Sequence, residues 1–363
     1  MWNGWPARGR ERSIRQKVFA GQSLKLYAYF TSLPPYPHLT NSPRRAALLP
    51  RLHPARPGAL ERKERLMAER LDVEFAADGG ITLRAWLYIP DGPGPHPAIT
   101  MAHGYAGTRA HGLAAYASRF AANGFVVLVH DHRNFGASEG ELRHDINPWQ
   151  QIKDWRRAVT YLEGRPEVDP SRIGLWGSSY SGGHALVLGA TEERLKAVVS
   201  QVPAINGHVA GSRRAVGDAR IALEQSFVDD ERGQAAGEAP KMIAVVSSDP
   251  NQPAAYRLPS ALRFYTQPGP EEYGWDNTVT LQSTRAARLY EPGVWASRVS
   301  PKPLLFIVAA DDELTGTDLA LEAYEQAQEP KSLVMLPGGH FEPYVENFEE
   351  SSSAALDWFL LHL

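Results

Sequence analysis

The segment Arg172-Ile-Gly-Leu-Trp runs as a strand-like stretch into Gly177-Ser178-Ser179-Tyr180-Ser181-Gly182-Gly183. A serine nucleophile needs this kind of join. Its hydroxyl must stand on a strained strand-to-helix turn, so its neighbours must be small enough to clear the adjacent strand and helix. The hydroxyl then sits at a helix N-terminus, where unpaired N–H groups favour developing negative charge. Ser179 is the candidate, because it has a glycine two residues before it while Ser178 and Ser181 do not. The usual pattern is Gly-x-Ser-x-Gly. Here its last position holds Ser181, also small, with Gly182 one step later.

Such a serine requires a base and an acid, and both follow in the chain. Leu304–Ala309 is apolar and ends in Ala310-Asp311-Asp312-Glu313-Leu314-Thr315. Leu333–Leu336 ends in Pro337-Gly338-Gly339-His340-Phe341. The order Ser179, Asp312, His340 is a triad order in which the acid fixes the imidazole tautomer and the histidine carries the serine proton. Asp312 is preferred to Asp311 because Asp312-x-x-Thr315 has the form of an acid loop. Each fragment alone is an ordinary loop, but three in this order after three apolar strands point to one site.

A fourth fragment, His103-Gly104-Tyr105-Ala106-Gly107, follows the apolar run Ala98–Ala102. It is placed to supply an oxyanion-hole N–H from Tyr105, with the N–H of Tyr180 as the second donor. His103 then shapes the loop, and His184 packs in the helix after the turn. His130, His132 and His144 with Asp131 and Asp145 offer metal-ligand types. The run His130-Asp131-His132-Arg133-Asn134-Phe135-Gly136-x-Ser138 instead reads as a turn after a central strand. Neither a metal nor a cofactor is expected.

The elements that must hold these residues are legible in the hydrophobic pattern. Leu71–Ala76 and Ile81–Ile89 read as strands joined at Asp78-Gly79-Gly80, a hairpin signal. Ala98–Ala102, Phe125–Val129, Ile173–Trp176, Ala197–Val199, Leu304–Ala309 and Leu333–Leu336 read as buried strands. Leu113–Ala122, Trp149–Leu162, Gly182–Gly189, Leu319–Ala327 and a closing segment through Leu363 read as helices. In Trp149–Leu162 the apolar residues Trp149, Ile152, Trp155, Val159 and Leu162 fall on one face. Strands alternating with helices predict an α/β protein with a mostly parallel, doubly wound sheet. Residues 205–300 break the alternation, are rich in Pro, Trp, Tyr and charge, and read as a cap over the carboxyl ends of the strands. The expected division is a leader at 1–66, core at 67–204, cap at 205–300 and core again at 301–363.

The 363 residues, with 43% hydrophobic content and a net charge of −3, suffice for one large catalytic core plus an extra segment or for two modest domains. So mild a charge disfavours nucleic acid as a partner. The charge is uneven: residues 1–60 hold ten Lys/Arg and one acid, Glu11. The leader is rich in Pro and Arg, lacks periodicity, and is expected to have no catalytic role, so a chain beginning at Met67 should contain the whole core. There are no cysteines, which excludes disulfides and thiolate catalysis. No apolar run reaches the ~18 residues of a membrane helix. A cytoplasmic protein is the expectation, and a homo-oligomer stays open.

Together these motifs resemble the α/β-hydrolase superfamily over about residues 70–363. The His-Gly-Tyr loop, the Gly-x-Ser-Tyr-Ser-Gly-Gly turn and the Gly-Gly-His-Phe-x-x-Tyr ending are most similar to the dienelactone-hydrolase-like and acetyl-xylan-esterase-like branch. Bacterial esterases and fungal polyketide transferase-like hydrolases lie near it. Gly-x-Ser-Tyr-x-Gly also resembles the cocaine-esterase and X-prolyl dipeptidyl-peptidase group, and Trp275-Asp276-Asn277-x-Val279-Thr280 resembles a cap segment of the branch. The chain departs from the pattern at Ser181 and at Gly316, where a proline is common. The resemblance implies the α/β-hydrolase fold and an ester or other acyl compound as substrate. Ester hydrolysis through an acyl-serine leads, with peptidase or amidase action, acyl transfer and C–C bond hydrolysis as alternatives that use the same triad. A binding protein with a relic triad comes last.

Overall fold

The computed structural model of the chain describes residues 69–363. The expectations for the leader, including Met67 as a start, lie outside the described residues. Strands β1 (Glu69–Ala76) and β2 (Thr82–Ile89) pair antiparallel, with Phe75 opposite Leu83. The turn between them has Gly79 and Gly80 at positive φ, as a tight hairpin requires. There follow β3 (His96–Ala102), α1 (Leu113–Ala121), β4 (Val126–His130), α2 (Pro148–Glu163), β5 (Val168–Ser178), α3 (Tyr180–Thr191) and β6 (Leu195–Gln201). Then come α4 (Gly207–Arg214), α5 (Gly217–Ala235), β7 (Met242–Val246), β8 (Ala254–Tyr256), α6 (Pro259–Tyr265), β9 (Val279–Thr280) and α7 (Leu281–Arg288). The chain closes with β10 (Leu304–Ala309), α8 (Thr317–Gln326), β11 (Lys331–Leu336) and α9 (Phe348–His362).

Eight strands form one sheet in the order β1-β2-β4-β3-β5-β6-β10-β11. All pairings from β4 to β11 are parallel, and only those made by β2 are antiparallel. The central strands are buried on both faces, which is why they read as unbroken apolar runs. Successive side chains feed opposite cores. Leu175, Val198 and Phe306 join Trp155 of α2 and Leu319 of α8, while Trp176, Val199 and Ile307 join Phe120 of α1 and Phe359 of α9. This is the doubly wound, mostly parallel arrangement that the alternation predicts.

One expectation needs correction. In α2, Ile152, Trp155, Val159 and Leu162 are buried, but Trp149 is 53% exposed. It lies in the first turn of the helix, ahead of the buried residues, and its ring meets Tyr290 edge-on at 5.8 Å. Pro292–Arg298 is a 3-10 turn packed on α3, so close that a Cβ at Gly183 would lie 2.6 Å from Pro292 Cγ. The inserted segment has its own small sheet, ordered β8-β7-β9. Among the described residues no helix is long and apolar enough to cross a membrane.

Candidate active site

Strand β5 delivers Ser179 to the start of α3 with φ 58° and ψ −120°, a conformation that costs a non-glycine residue about 1–3 kcal/mol. The surroundings hold it there. Its N–H donates to the carbonyl of Gln201 at 2.9 Å, and its carbonyl accepts from Ala204 N–H at 2.9 Å. The turn leaves no room at Gly177, where a Cβ would lie 2.1 Å from the Ser181 carbonyl oxygen. That is the physical content of the glycine two residues before the serine.

His340 lies between the serine and the aspartate. Its Nε2 is 2.9 Å from Ser179 Oγ and its Nδ1 is 2.8 Å from Asp312 Oδ2. All three residues are buried. Asp312 Oδ1 accepts the N–H groups of Leu314 and Thr315, each at 2.9 Å, and Oδ2 also accepts the Thr315 hydroxyl at 2.8 Å. Burial works to raise the Asp312 pKa. The His340 charge and the hydrogen bonds from His340 and Thr315 outweigh it and hold the carboxyl below its usual value. Asp311, by contrast, is exposed and contributes its backbone N–H to the Gly338 carbonyl. The structure thus separates two adjacent aspartates, bringing Asp312 to His340 and leaving Asp311 in solvent. The rival serines are engaged elsewhere: Ser178 Oγ with Tyr344 Oη, and Ser181 Oγ with the His103 carbonyl.

The loop after β3 lies against the serine, since a Cβ at Gly104 would be 3.0 Å from Ser179 Cβ and 3.2 Å from Oγ. No hydrogen bond between described residues occupies the Tyr105 N–H. Tyr180 is the first residue of α3, so its N–H has no partner within the helix. The direction of the Tyr105 N–H follows from the other end of its peptide. The Gly104 carbonyl meets His103 Nδ1 at 2.9 Å, and in a trans peptide the N–H points the opposite way. His103 Nε2 accepts the His132 N–H at 3.0 Å, so the proton must sit on Nδ1, where it donates to Gly104. Burial pushes the His103 pKa down to about 4, keeping the ring neutral.

Ser181, the departure from the usual glycine, completes this ring. Its hydroxyl donates to the His103 carbonyl and accepts from His132 Nε2 at 3.0 Å. His184 packs as expected, with Nε2 on Gln151 Oε1 at 3.0 Å and Nδ1 on Tyr290 Oη at 2.8 Å. Asp131 lies in the turn after β4. It accepts the N–H groups of Arg109 and Ala137 and pairs with the Arg109 guanidinium, while the Ser138 hydroxyl closes the turn on the Asp131 carbonyl.

Sequence reasoning missed what the inserted segment does here. Tyr265 Oη donates to the Tyr105 carbonyl at 2.6 Å, and Trp275 Nε1 to the Ala106 carbonyl at 3.0 Å. These two aromatics act as polar clamps on the loop beside Ser179. Ala106 has φ 49°, and this second strained residue is what the clamp holds. Small spaces flank the serine. One of about 20 Å³ lies against Gly104, Phe264, Tyr265, Phe341 and Tyr344. Another of about 40 Å³ lies against Tyr180, Tyr256, Tyr290 and Arg214. The second shares Tyr105, Arg214, Tyr256, Ala287 and Leu314 with a cavity of about 720 Å³ inside the inserted segment, within the usual range of ligand pockets. Nothing short of the fold would have joined Arg214 to this site.

Comparison with known proteins agrees with the geometry. Over 292 residues the chain is 33% identical to the quorum-quenching protein AidA of Acinetobacter baumannii, covering 79% of this chain and 93% of that one. It is 31% identical over 273 residues to the polyketide transferase ATR5 of Stachybotrys chlorohalonatus, covering 73% and 88%. The crystal structure of the α/β hydrolase GrgF from Penicillium superposes with a TM-score of 0.70 at 27% identity, covering 81% of this chain and 99% of that one. The fold is therefore that of the α/β hydrolases. The sequence profile of the dipeptidyl-peptidase group, one of those that the motifs resemble, matches over residues 78–342. The chain belongs to the X-Pro dipeptidyl-peptidase (S15) family.

Proposed function

We propose that the protein is a serine hydrolase that cleaves carboxylic esters through an acyl-serine intermediate, with Ser179 as nucleophile, His340 as base and Asp312 as acid. The observation that carries this reading is the single line of contacts from Ser179 Oγ through both His340 nitrogens to Asp312. Ser179 Oγ attacks the ester carbonyl carbon while His340 Nε2 takes its proton. The carbonyl oxygen becomes an oxyanion received by the N–H groups of Tyr105 and Tyr180. His340 then gives the proton to the departing alcohol as the C–O bond breaks. Water repeats the sequence on the acyl-serine and releases the acid.

The ester reading is preferred to the dipeptidyl-peptidase activity in the family's name on one physical ground. A dipeptidyl-peptidase must recognise a free ammonium, and the spaces flanking Ser179 are lined by no Asp or Glu among the described residues. A second reading, acyl transfer to an acceptor other than water, is favoured by the likeness to a polyketide transferase. Turnover of p-nitrophenyl butyrate against the matching anilide tests the proposal. Ester cleavage is expected without anilide cleavage, and Ser179→Ala should lose roughly 10³-fold or more while keeping its melting temperature. A wild-type protein that neither turns over the ester nor is labelled by a fluorophosphonate would sink the hydrolase reading. Product formed only when an alcohol is added would move it to the transferase.

A further inference from the structure

The 720 Å³ cavity is mostly apolar, with Leu223, Ile243, Leu258, Leu281 and Leu314 in its wall. Yet four cations also line it, Arg214, Lys241, Arg257 and Arg288, and no carboxylate does. Arg214, Lys241 and Arg257 are exposed and solvated, and an anion entering the cavity meets several cations and no carboxylate. Two of the cations are partly answered by protein. Arg288 lies 3.8 Å from Glu224, and Arg257 donates to the carbonyls of Asp249 and Gln252. Arg214 and Lys241 have no carboxylate partner among the described residues.

Arg214 occupies the decisive place. It is the last residue of α4, and it lines both the small space at Ser179 and the large cavity beyond it. Its one hydrogen bond, at 2.8 Å, goes to the carbonyl of Leu314 in the loop that carries Asp312. Its guanidinium carbon lies 5.8 Å from the Tyr256 ring centroid, so the planar group is held between an aromatic wall and the acid loop. A guanidinium has five donors, and the bond to Leu314 is the one hydrogen bond that Arg214 makes among the described residues.

We propose that the cavity binds a substrate that carries a carboxylate several bonds from the scissile carbonyl, with Arg214 as its main anchor and Lys241 as a second cation. This rests on the serine-hydrolase reading. An apolar spacer between the two groups would pack against the leucine-rich wall, while the carboxylate supplies the charge that the wall lacks. The carboxylate belongs either to the acyl chain or to the alcohol, and matched substrates tell these apart.

The test compares kcat/KM for p-nitrophenyl octanoate with that for the mono-p-nitrophenyl ester of suberic acid. A parallel arm compares octyl butyrate with the butyrate ester of 8-hydroxyoctanoic acid. The proposal expects a preference of about tenfold or more for the acidic member of one pair, expressed mainly in KM. Arg214→Gln should bring that ratio close to one, Arg214→Lys should keep part of it, and Lys241→Gln should lower it less. Should Arg214→Gln fail to fold, the wild-type ratios and Lys241→Gln still decide the matter. Equal kcat/KM within both pairs overturns the proposal, as does a preference that survives both charge-removing variants. Failure of the underlying reading looks different, because then no neutral ester turns over and a fluorophosphonate leaves Ser179 unlabelled.

Discussion

Replacing Asp312 by asparagine tests the site at its most specific point, because the structure dictates how the new side chain must sit. Asp312 Oδ1 accepts two backbone N–H groups, from Leu314 and Thr315. An asparagine oxygen keeps both bonds, so the amide nitrogen is forced into the place of Oδ2. There it faces His340 Nδ1 and the Thr315 hydroxyl. The hydroxyl can rotate to accept, but an NH₂ cannot accept from an Nδ1–H. The imidazole therefore moves its proton to Nε2, the nitrogen 2.9 Å from Ser179 Oγ, and can no longer take the serine proton. A triad with the wrong tautomer loses about 10⁴-fold in kcat, or about 5.4 kcal/mol at 1.36 kcal/mol per decade. The fold should persist, because the two backbone bonds survive. At Asp311 the side chain is exposed and only its backbone bonds to Gly338, so Asp311→Asn should change kcat by less than about twofold. Initial rates with p-nitrophenyl butyrate, with melting temperature as the control, measure both. Comparable rates for the two variants would refute the reasoning, and a larger loss at Asp311 would reverse the assignment.

Restoring the usual glycine, Ser181→Gly, should lower kcat and stability together, because the His103 carbonyl and His132 Nε2 lose their shared partner in a buried ring. The stability loss should be about 1–3 kcal/mol by chemical denaturation, and a variant as active and stable as wild type would show that Ser181 does not hold the loop. Acid should destabilise the protein well above the carboxylate range. Burial holds His111, His130 and His184 at about 3, His103 at about 4 and His132 well below 6.5. Each stays neutral in the native state while the unfolded chain takes up protons below about 6.5, so stability falls as pH drops through that window. At pH 5 each of the groups held at about 3 or 4 costs on the order of 2 kcal/mol, a large share of the stability of a domain. A melting temperature that is flat between pH 7.5 and 5 would contradict this.

The elements and the order of the chemical groups were written locally in the chain. Apolar runs of five or six residues, such as Val126–His130 and Leu304–Ala309, carry their own strand signal because both their faces are covered. The serine turn is legible for a related reason: a strained corner tolerates only small neighbours, and Gly177 records that constraint in sequence. Asp312 and His340 are legible because each follows a strand, and strand ends converge at one edge of a parallel sheet. Other features depend on groups far apart in sequence, and no local pattern encodes them. The exposure of Trp149 depends on what the fold brings to the first turn of α2, where Tyr290 meets its ring from the side. The clamps from Tyr265 and Trp275 onto the Tyr105 and Ala106 carbonyls bridge 160 and 169 positions. An aromatic residue that packs and one that donates a hydrogen bond have the same letter in the chain. The cationic cavity is likewise assembled from α4, β7 and α7 and the segment after β8, whose charges are unremarkable until the fold turns them toward one space. Sequence determines which groups are present and where the chain bends, whereas long-range packing determines what each group faces, and recognition depends on the latter.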